Sequence, residues 1–273
     1  MSADGARGPV DGVRVLGRSG PAVLLLPGGA EACDGFFPGL PEGLVADPGC
    51  RVVVHDRPGT GTARADGSLA GAASHLAGLV DRLGCGPVVV VGQSLGGAVA
   101  TLLARDHPAA VAGLVLLDPT PINDPVGCAR IERTMRVLEG LVRVPPLRRL
   151  LSAALRASLA RQRRRLRLRP DCAAAHARIG DDLDIAKLAR SVRGITQLSA
   201  GLRESDLPRV PAVVVTADRL PTDRIRRAHA RLADALGAPL VSWPGAGHDL
   251  HLDHPDETLA VVRGLVRRVA AGG

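Results

Sequence analysis

Gly92-Gln93-Ser94-Leu95-Gly96, entered from the apolar run Pro87-Val88-Val89-Val90-Val91 and left through Gly97-Ala98-Val99-Ala100-Thr101-Leu102-Leu103-Ala104, reads as a buried strand, a very tight turn and a helix. A turn that sharp strains its central residue, so the positions two before and two after it must lack a side chain. Glycines fill both. The strain lifts the Ser94 hydroxyl clear of the sheet, and the amide of Leu95 at the helix start points to where negative charge could collect. Ser94 is therefore a candidate nucleophile.

Outward from this turn, short apolar runs alternate with amphipathic stretches. Strands are expected at Val13–Leu16, Ala22–Leu26, Arg51–His55, Val88–Val91, Leu114–Leu117, Ala212–Thr216 and Leu240–Trp243. Most are Val and Leu runs without polar alternation, as parallel strands buried on both faces require. Helices are expected at about 69–83, 96–106, 222–236 and 255–270, Pro255 suiting a first helical turn. The fold class is α/β, a mostly parallel sheet with helices on both faces.

Between Pro119 and Pro211 the alternation stops. Ile131, Met135, Leu138 and Val142 recur at helical spacing, as do Leu147, Leu151, Leu155 and Leu159, and Leu188, Val192, Ile195 and Leu198. The organisation expected is a core domain in two parts, 1–118 and 211–273, with an all-helical insertion at 119–210. With 273 residues the chain can bury a full core as one such domain without a cofactor or a partner.

Composition narrows the function. The net charge of +8 could suggest nucleic acid, but aromatics are 1% of the chain, with no Tyr, so stacking platforms cannot be built. Lys187 is the only lysine; the basic balance is Arg, beside abundant Ala, Gly, Pro and Val, which is the mark of a GC-rich coding sequence. No nucleic-acid partner is expected. Met1 to Gly8 has no apolar core for a signal peptide, and no stretch reaches membrane-span length, so a cytoplasmic protein without stable membrane insertion is expected. Cys33, Cys50, Cys85, Cys128 and Cys172 are scattered, with no C-x-x-C spacing, which argues against a disulfide framework and a metal site.

A serine hydroxyl is a poor nucleophile at neutral pH and needs a base within reach and a carboxylate to orient it. Ala217-Asp218-Arg219, following the strand Ala212–Thr216, puts a carboxylate at a carboxyl strand end, where sites in open parallel sheets gather. Asp118, at the end of Leu114-Val115-Leu116-Leu117, is the rival acid by the same logic. Pro244-Gly245-Ala246-Gly247-His248-Asp249 presents an imidazole on a flexible turn, and His248 is preferred as base over His251 and His254. The glycines of Pro27-Gly28-Gly29 let a backbone amide approach a reacting carbonyl, Gly29 being the favoured donor.

These pieces in this order resemble the α/β-hydrolase superfamily, in its serine-nucleophile members with a helical cap. The matching segments are Leu24-Leu25-Leu26-Pro27-Gly28-Gly29, Asp56-Arg57-Pro58-Gly59-Thr60-Gly61, the Ser94 turn, Leu116-Leu117-Asp118-Pro119, Thr216-Ala217-Asp218-Arg219 and Gly245-Ala246-Gly247-His248. The resemblance implies Ser94 as nucleophile, Asp218 as acid, His248 as base, and the amides of Gly29 and Leu95 as oxyanion hole. No cofactor is expected, and no metal either, because no ligand cluster at zinc or calcium spacing exists. Where family members commonly carry His-Gly, this chain has Pro27-Gly28.

The expected activity is cleavage of a carboxylic ester or related acyl compound, the partner being an apolar small-molecule acyl substrate. An acyltransferase using the same residues, or a ligand-binding protein that keeps the fold, are the alternatives; oligomeric state is left open. In the insertion, ten arginines fall between Glu139 and Asp171 without one acidic residue. The Leu147, Leu151, Leu155, Leu159 stripe is expected to roof a pocket over Ser94 while arginines face water. The alternative is a basic patch for an anionic substrate or an acidic membrane surface.

Overall fold

The computed structural model describes residues 12–272, residues 162–165 by their backbone alone; Met1 to Gly8, read above for a leader, lie outside them. One seven-stranded sheet runs through it: β1 (Val13–Leu16), β2 (Ala22–Leu26), β3 (Arg51–His55), β4 (Val88–Gln93), β5 (Val111–Leu117), β6 (Ala212–Thr216) and β7 (Leu240–Ser242), in the order β1-β3-β2-β4-β5-β6-β7. β1 is antiparallel to β3, and every other pairing is parallel. All seven expected strands are present, β4 and β5 extending further than their apolar runs suggested.

Successive residues of a strand point to opposite faces, and the central strands use this to build two cores. Leu24, Leu26, Val88, Val90, Leu114, Leu116 and Val214 face helices α2 (Ala72–Leu83), α3 (Leu95–Asp106) and α9 (Arg224–Leu236). Val23, Leu25, Val89, Val91, Val115, Leu117, Val213 and Val215 face α1 (Leu40–Ala46) and α11 (Pro255–Gly272) on the other side, with the single turn α10 (Leu250–Asp253) beside them. The chain leaves β2 toward one edge and β4 toward the other. Between them lies the topological switch point, where the carboxyl ends of parallel strands open a crevice.

From β5 to β6 the described chain carries five α-helices: α4 (Pro125–Val142), α5 (Pro145–Arg165), α6 (Pro170–Asp181), α7 (Ile185–Ser191) and α8 (Ile195–Ala200). Polar ties bind them to the sheet domain. Asp124 caps α4 and pairs with Arg224 of α9, Asn123 donates to the Ala228 carbonyl at 2.8 Å, and Arg178 donates to the Gly35 carbonyl at 3.1 Å.

The leucine stripe of α5 does not roof Ser94. Of the stripe, Leu147 and Leu155 are exposed, and Leu159 lies against Gly180 of α6. Ile131 and Met135 of α4, with Leu188 and Val192 beside them, take that place. Helical periodicity identifies an apolar face; it does not say which neighbour covers it, and α5 packs outward on α4 and α6.

Candidate active site

Ser94 joins β4 to α3 at φ 50° and ψ −118°, a backbone region that side chains rarely adopt. Its neighbours make this possible. A Cβ at Gly92 would stand 2.5 Å from the Gly96 carbonyl oxygen, and one at Gly97 2.6 Å from Pro119 Cβ; one at Gly96 would collide with the Leu26 carbonyl. The three glycines are thus required by close backbone approach. The Ser94 N–H donates to the Leu117 carbonyl at 3.1 Å and the Ser94 carbonyl accepts from Thr120 N–H at 2.8 Å, so the end of β5 clamps the turn.

His248 reaches this turn from the loop after β7. Its Nε2 lies 3.0 Å from Ser94 Oγ, and its Nδ1 lies 2.6 Å from Asp118 Oδ2. A carboxylate can only accept, so Nδ1 carries the proton and Nε2 is left free to accept from the serine hydroxyl. Gln93, one residue before Ser94, fixes the loop by donating to the His248 carbonyl at 3.0 Å. Gln93 is not legible as a site residue in the sequence, since a glutamine at a strand end has no chemical signature until its partner, 155 positions away, is known.

The carboxylate bonded to the imidazole is that of Asp118, where Asp218 was expected. The reason is strand order. β5 lies next to β4, so a residue just past the end of β5 adjoins the Ser94 turn, whereas the end of β6 is one strand further, roughly 5 Å away. Asp218 instead supports the backbone of the histidine loop: its carboxylate accepts from Gly245 N–H at 2.9 Å, and its own N–H donates to the Ala246 carbonyl at 2.8 Å. Asp118 is buried and, at φ 41°, is with Ser94 one of two non-glycine residues at positive φ among the described residues.

Arg219 holds that carboxylate. It grips both carboxylate oxygens of Asp118, Nη2 to Oδ2 at 2.7 Å, and Ala217 N–H adds a bond at 3.0 Å. Desolvation alone would raise the Asp118 carboxyl; the hydrogen bonds from Arg219 and His248 overcome it and hold the group well below the usual carboxylate range. For His248 the protein strips water from the ring, which favours the neutral form, but the hydrogen bond and charge of Asp118 win and raise its pKa. His229, fully buried, props the same loop: Nε2 faces the Pro119 carbonyl at 2.7 Å and Nδ1 the Thr216 hydroxyl at 2.9 Å. Its burial lowers its pKa, so it stays neutral.

Gly29 and Leu95 border the same space as Ser94 and His248. Leu95 opens α3, so its N–H is among those a helix leaves without an internal acceptor. Gly29, at φ 53°, has its carbonyl held by the buried Arg57 at 3.4 Å. Burial lowers the pKa of Arg57 to about 10, which still leaves it charged at neutral pH. The space itself is about 250 Å³, walled by Ile131, Met135, Leu188, Val192 and Ile225. His251 is not part of it, being buried face to face with Phe36 at 4.4 Å between ring centres.

Residues 23–261 match the alpha/beta hydrolase family. The chain belongs to that family. Among solved structures of this hydrolase fold it superimposes on MenH from S. aureus (TM-score 0.75, 14% identity, covering 96% of this chain and 100% of that one). It also superimposes on a thermophilic esterase from Thermogutta terrifontis (TM-score 0.71, 22% identity, 94% and 93%). Local sequence similarity extends to Lipase LipV of Mycobacterium tuberculosis, 61% identical over 51 residues, 19% of this chain and 20% of that protein. The sn-1-specific diacylglycerol lipase ABHD11 of Mus musculus is 34% identical over 111 residues, 39% and 35% of the respective chains. The matches thus span about a third or less of these curated relatives. Among the described residues of this chain, no group of three or more His, Cys, Asp or Glu could hold a metal, and no helix is long and apolar enough to cross a membrane.

Proposed function

We propose that this chain is a serine hydrolase that cleaves carboxylic esters through a covalent acyl-enzyme. The observation that carries the reading is the continuous line from Ser94 Oγ to His248 Nε2 at 3.0 Å and from His248 Nδ1 to Asp118 Oδ2 at 2.6 Å, opening on an apolar pocket. As Ser94 Oγ attacks the ester carbonyl, its proton passes to Nε2, and the imidazolium is stabilised by the ionised Asp118. The carbonyl oxygen, now negative, is met by the amides of Leu95 and Gly29. The imidazolium then protonates the leaving alkoxide, the C–O bond breaks, and the acyl group stays on Ser94. Water, deprotonated by the neutral His248, attacks this acyl-enzyme and releases the acid.

The pocket of about 250 Å³ lies just below the ~300–1,000 Å³ range of sites for drug-sized ligands, which favours short acyl groups over long chains. A serine at the turn supports ester chemistry over mechanisms that form an ester on an aspartate there. The test is a panel of chromogenic p-nitrophenyl esters of increasing acyl length, run beside Ser94→Ala. The expected result is turnover that peaks at short acyl length and falls on the order of 10⁴-fold in a folded Ser94→Ala. Ser94→Ala retaining most activity would refute the reading.

A further inference from the structure

We infer that the outer groove between α4, α5 and α7 is a binding site for a phosphate-bearing organic anion, placed to hold the far end of a substrate whose ester lies at Ser94. The groove measures about 820 Å³ and is bordered by Arg143, Arg148, Arg149, Arg156 and Arg190. Its acidic residues are already engaged. Glu139 is held by Arg193 at 3.1 Å and lies 3.6 Å from Arg143, and the Asp184 carboxylate caps α7 by accepting from Lys187 N–H at 3.0 Å. The guanidinium groups of Arg148, Arg149, Arg156 and Arg190 have no ion pair or hydrogen bond among the described residues. Four unpaired like charges around one concavity repel one another, and an anion that enters relieves this. Guanidinium groups suit phosphate in particular, since their paired N–H groups match two phosphate oxygens.

The groove and the Ser94 pocket share a wall. Ile131 and Met135 of α4 face the pocket, and Glu139, Val142 and the following Arg143 face the groove. Leu188 of α7 likewise borders the pocket, and Ile185, Ala186 and Arg190 the groove. At 1.5 Å per residue, Met135 and Val142 stand roughly 10 Å apart along α4. That is the span of an acylated glycerol phosphate or a comparable extended ester. Shallow exposed arginines reading nucleic acid would want stacking side chains beside them, and none borders the groove.

This inference rests on the ester-hydrolase reading of Ser94 for its catalytic part, and direct binding is measured separately. The first probe is inorganic pyrophosphate, titrated calorimetrically into the wild type and into Arg149→Glu with Arg156→Glu. The second is a substrate pair that differs only in the phosphate, a short-chain acylglycerol and its 3-phosphate. The expected results are saturable pyrophosphate binding that the double variant loses, and a KM about tenfold lower for the phosphorylated ester that the same variant abolishes. Turnover of the unphosphorylated ester should stay within about twofold in that variant, because neither arginine borders the Ser94 pocket.

Absence of pyrophosphate binding by the wild type would overturn the inference. So would equal KM values for the two esters, which would detach the groove from the substrate. Binding to phosphatidylglycerol vesicles that pyrophosphate does not displace would overturn it in favour of a lipid surface. If neither ester is cleaved while pyrophosphate still binds, it is the Ser94 reading that fails and the anion site that stands.

Discussion

Asp118 and Asp218 each close a parallel strand, and in sequence each precedes a short polar loop; their difference appears only with three-dimensional neighbours. Asp118 carries the imidazole bond and the Arg219 clamp, whereas Asp218 bonds the backbone of the histidine loop. Asp118→Asn is therefore expected to lower kcat on the order of 10³–10⁴-fold, and Asp218→Asn by no more than about tenfold, as steady-state kinetics on a p-nitrophenyl ester would show. The reverse ranking would return the acid to Asp218. The pH profile follows from the His248 shift. Only the neutral imidazole can accept the serine proton, and Asp118 raises its pKa, so activity should fall as pH drops through a limb above the ordinary imidazole value of ~6.5. Arg219→Ala should lower kcat and move that limb upward, since the guanidinium charge works against the imidazolium. A limb that stays in place would assign Arg219 a packing role alone.

At the scale of elements, the tight turn and the strands were legible because their causes are local: glycines that no side chain could replace, and Val-rich runs that only a doubly covered sheet can bury. Strand order, and with it the carboxylate that meets the imidazole, was not legible, because hydrogen bonding between strands distant in sequence leaves no trace in periodicity. The α5 leucines misled for a related reason, as helical spacing names a face and not its neighbour. Gly96→Ala tests the local part. Its Cβ would press on the carbonyls of Leu26 and Pro27, and thermal unfolding should show a loss of about 1–3 kcal/mol or more. An unchanged Tm would mean the turn is slacker than its geometry. Glu132 tests the joint between α4 and α8. Its carboxylate accepts from Gly194 N–H at 3.0 Å and Thr196 N–H at 3.1 Å. Desolvation would raise its pKa, but these bonds and that from the Thr196 hydroxyl lower it. A depressed folded-state pKa contributes stability above the unfolded value of ~4.3 and loses it as pH falls through the folded one. Glu132→Gln should thus cost about 1–2 kcal/mol at neutral pH, with the gap to wild type narrowing in acid. A gap independent of pH would show that the charge is not what ties the helices.

For the molecule as a whole, the sheet positions the residues around Ser94 and the helices between β5 and β6 wall the space beside them. The switch point between β2 and β4 brings the Gly29 loop beside the Ser94 turn, β5 delivers Asp118, and the loop after β7 delivers His248. α4 and α7 then supply the apolar wall of one space and part of the arginine wall of another. Enlarging Met135 to Trp should shift preference toward shorter acyl groups without moving the acid limb of the pH profile, which separates pocket shape from catalysis. Covalent acylation of Ser94 is tested with a fluorophosphonate, which bonds to an activated serine hydroxyl. Intact-mass and peptide mass spectrometry of the treated protein should show one adduct, located on Ser94, absent from Ser94→Ala and strongly slowed in Asp118→Asn. An adduct on another residue, or labelling of Ser94→Ala equal to that of the wild type, would contradict the account.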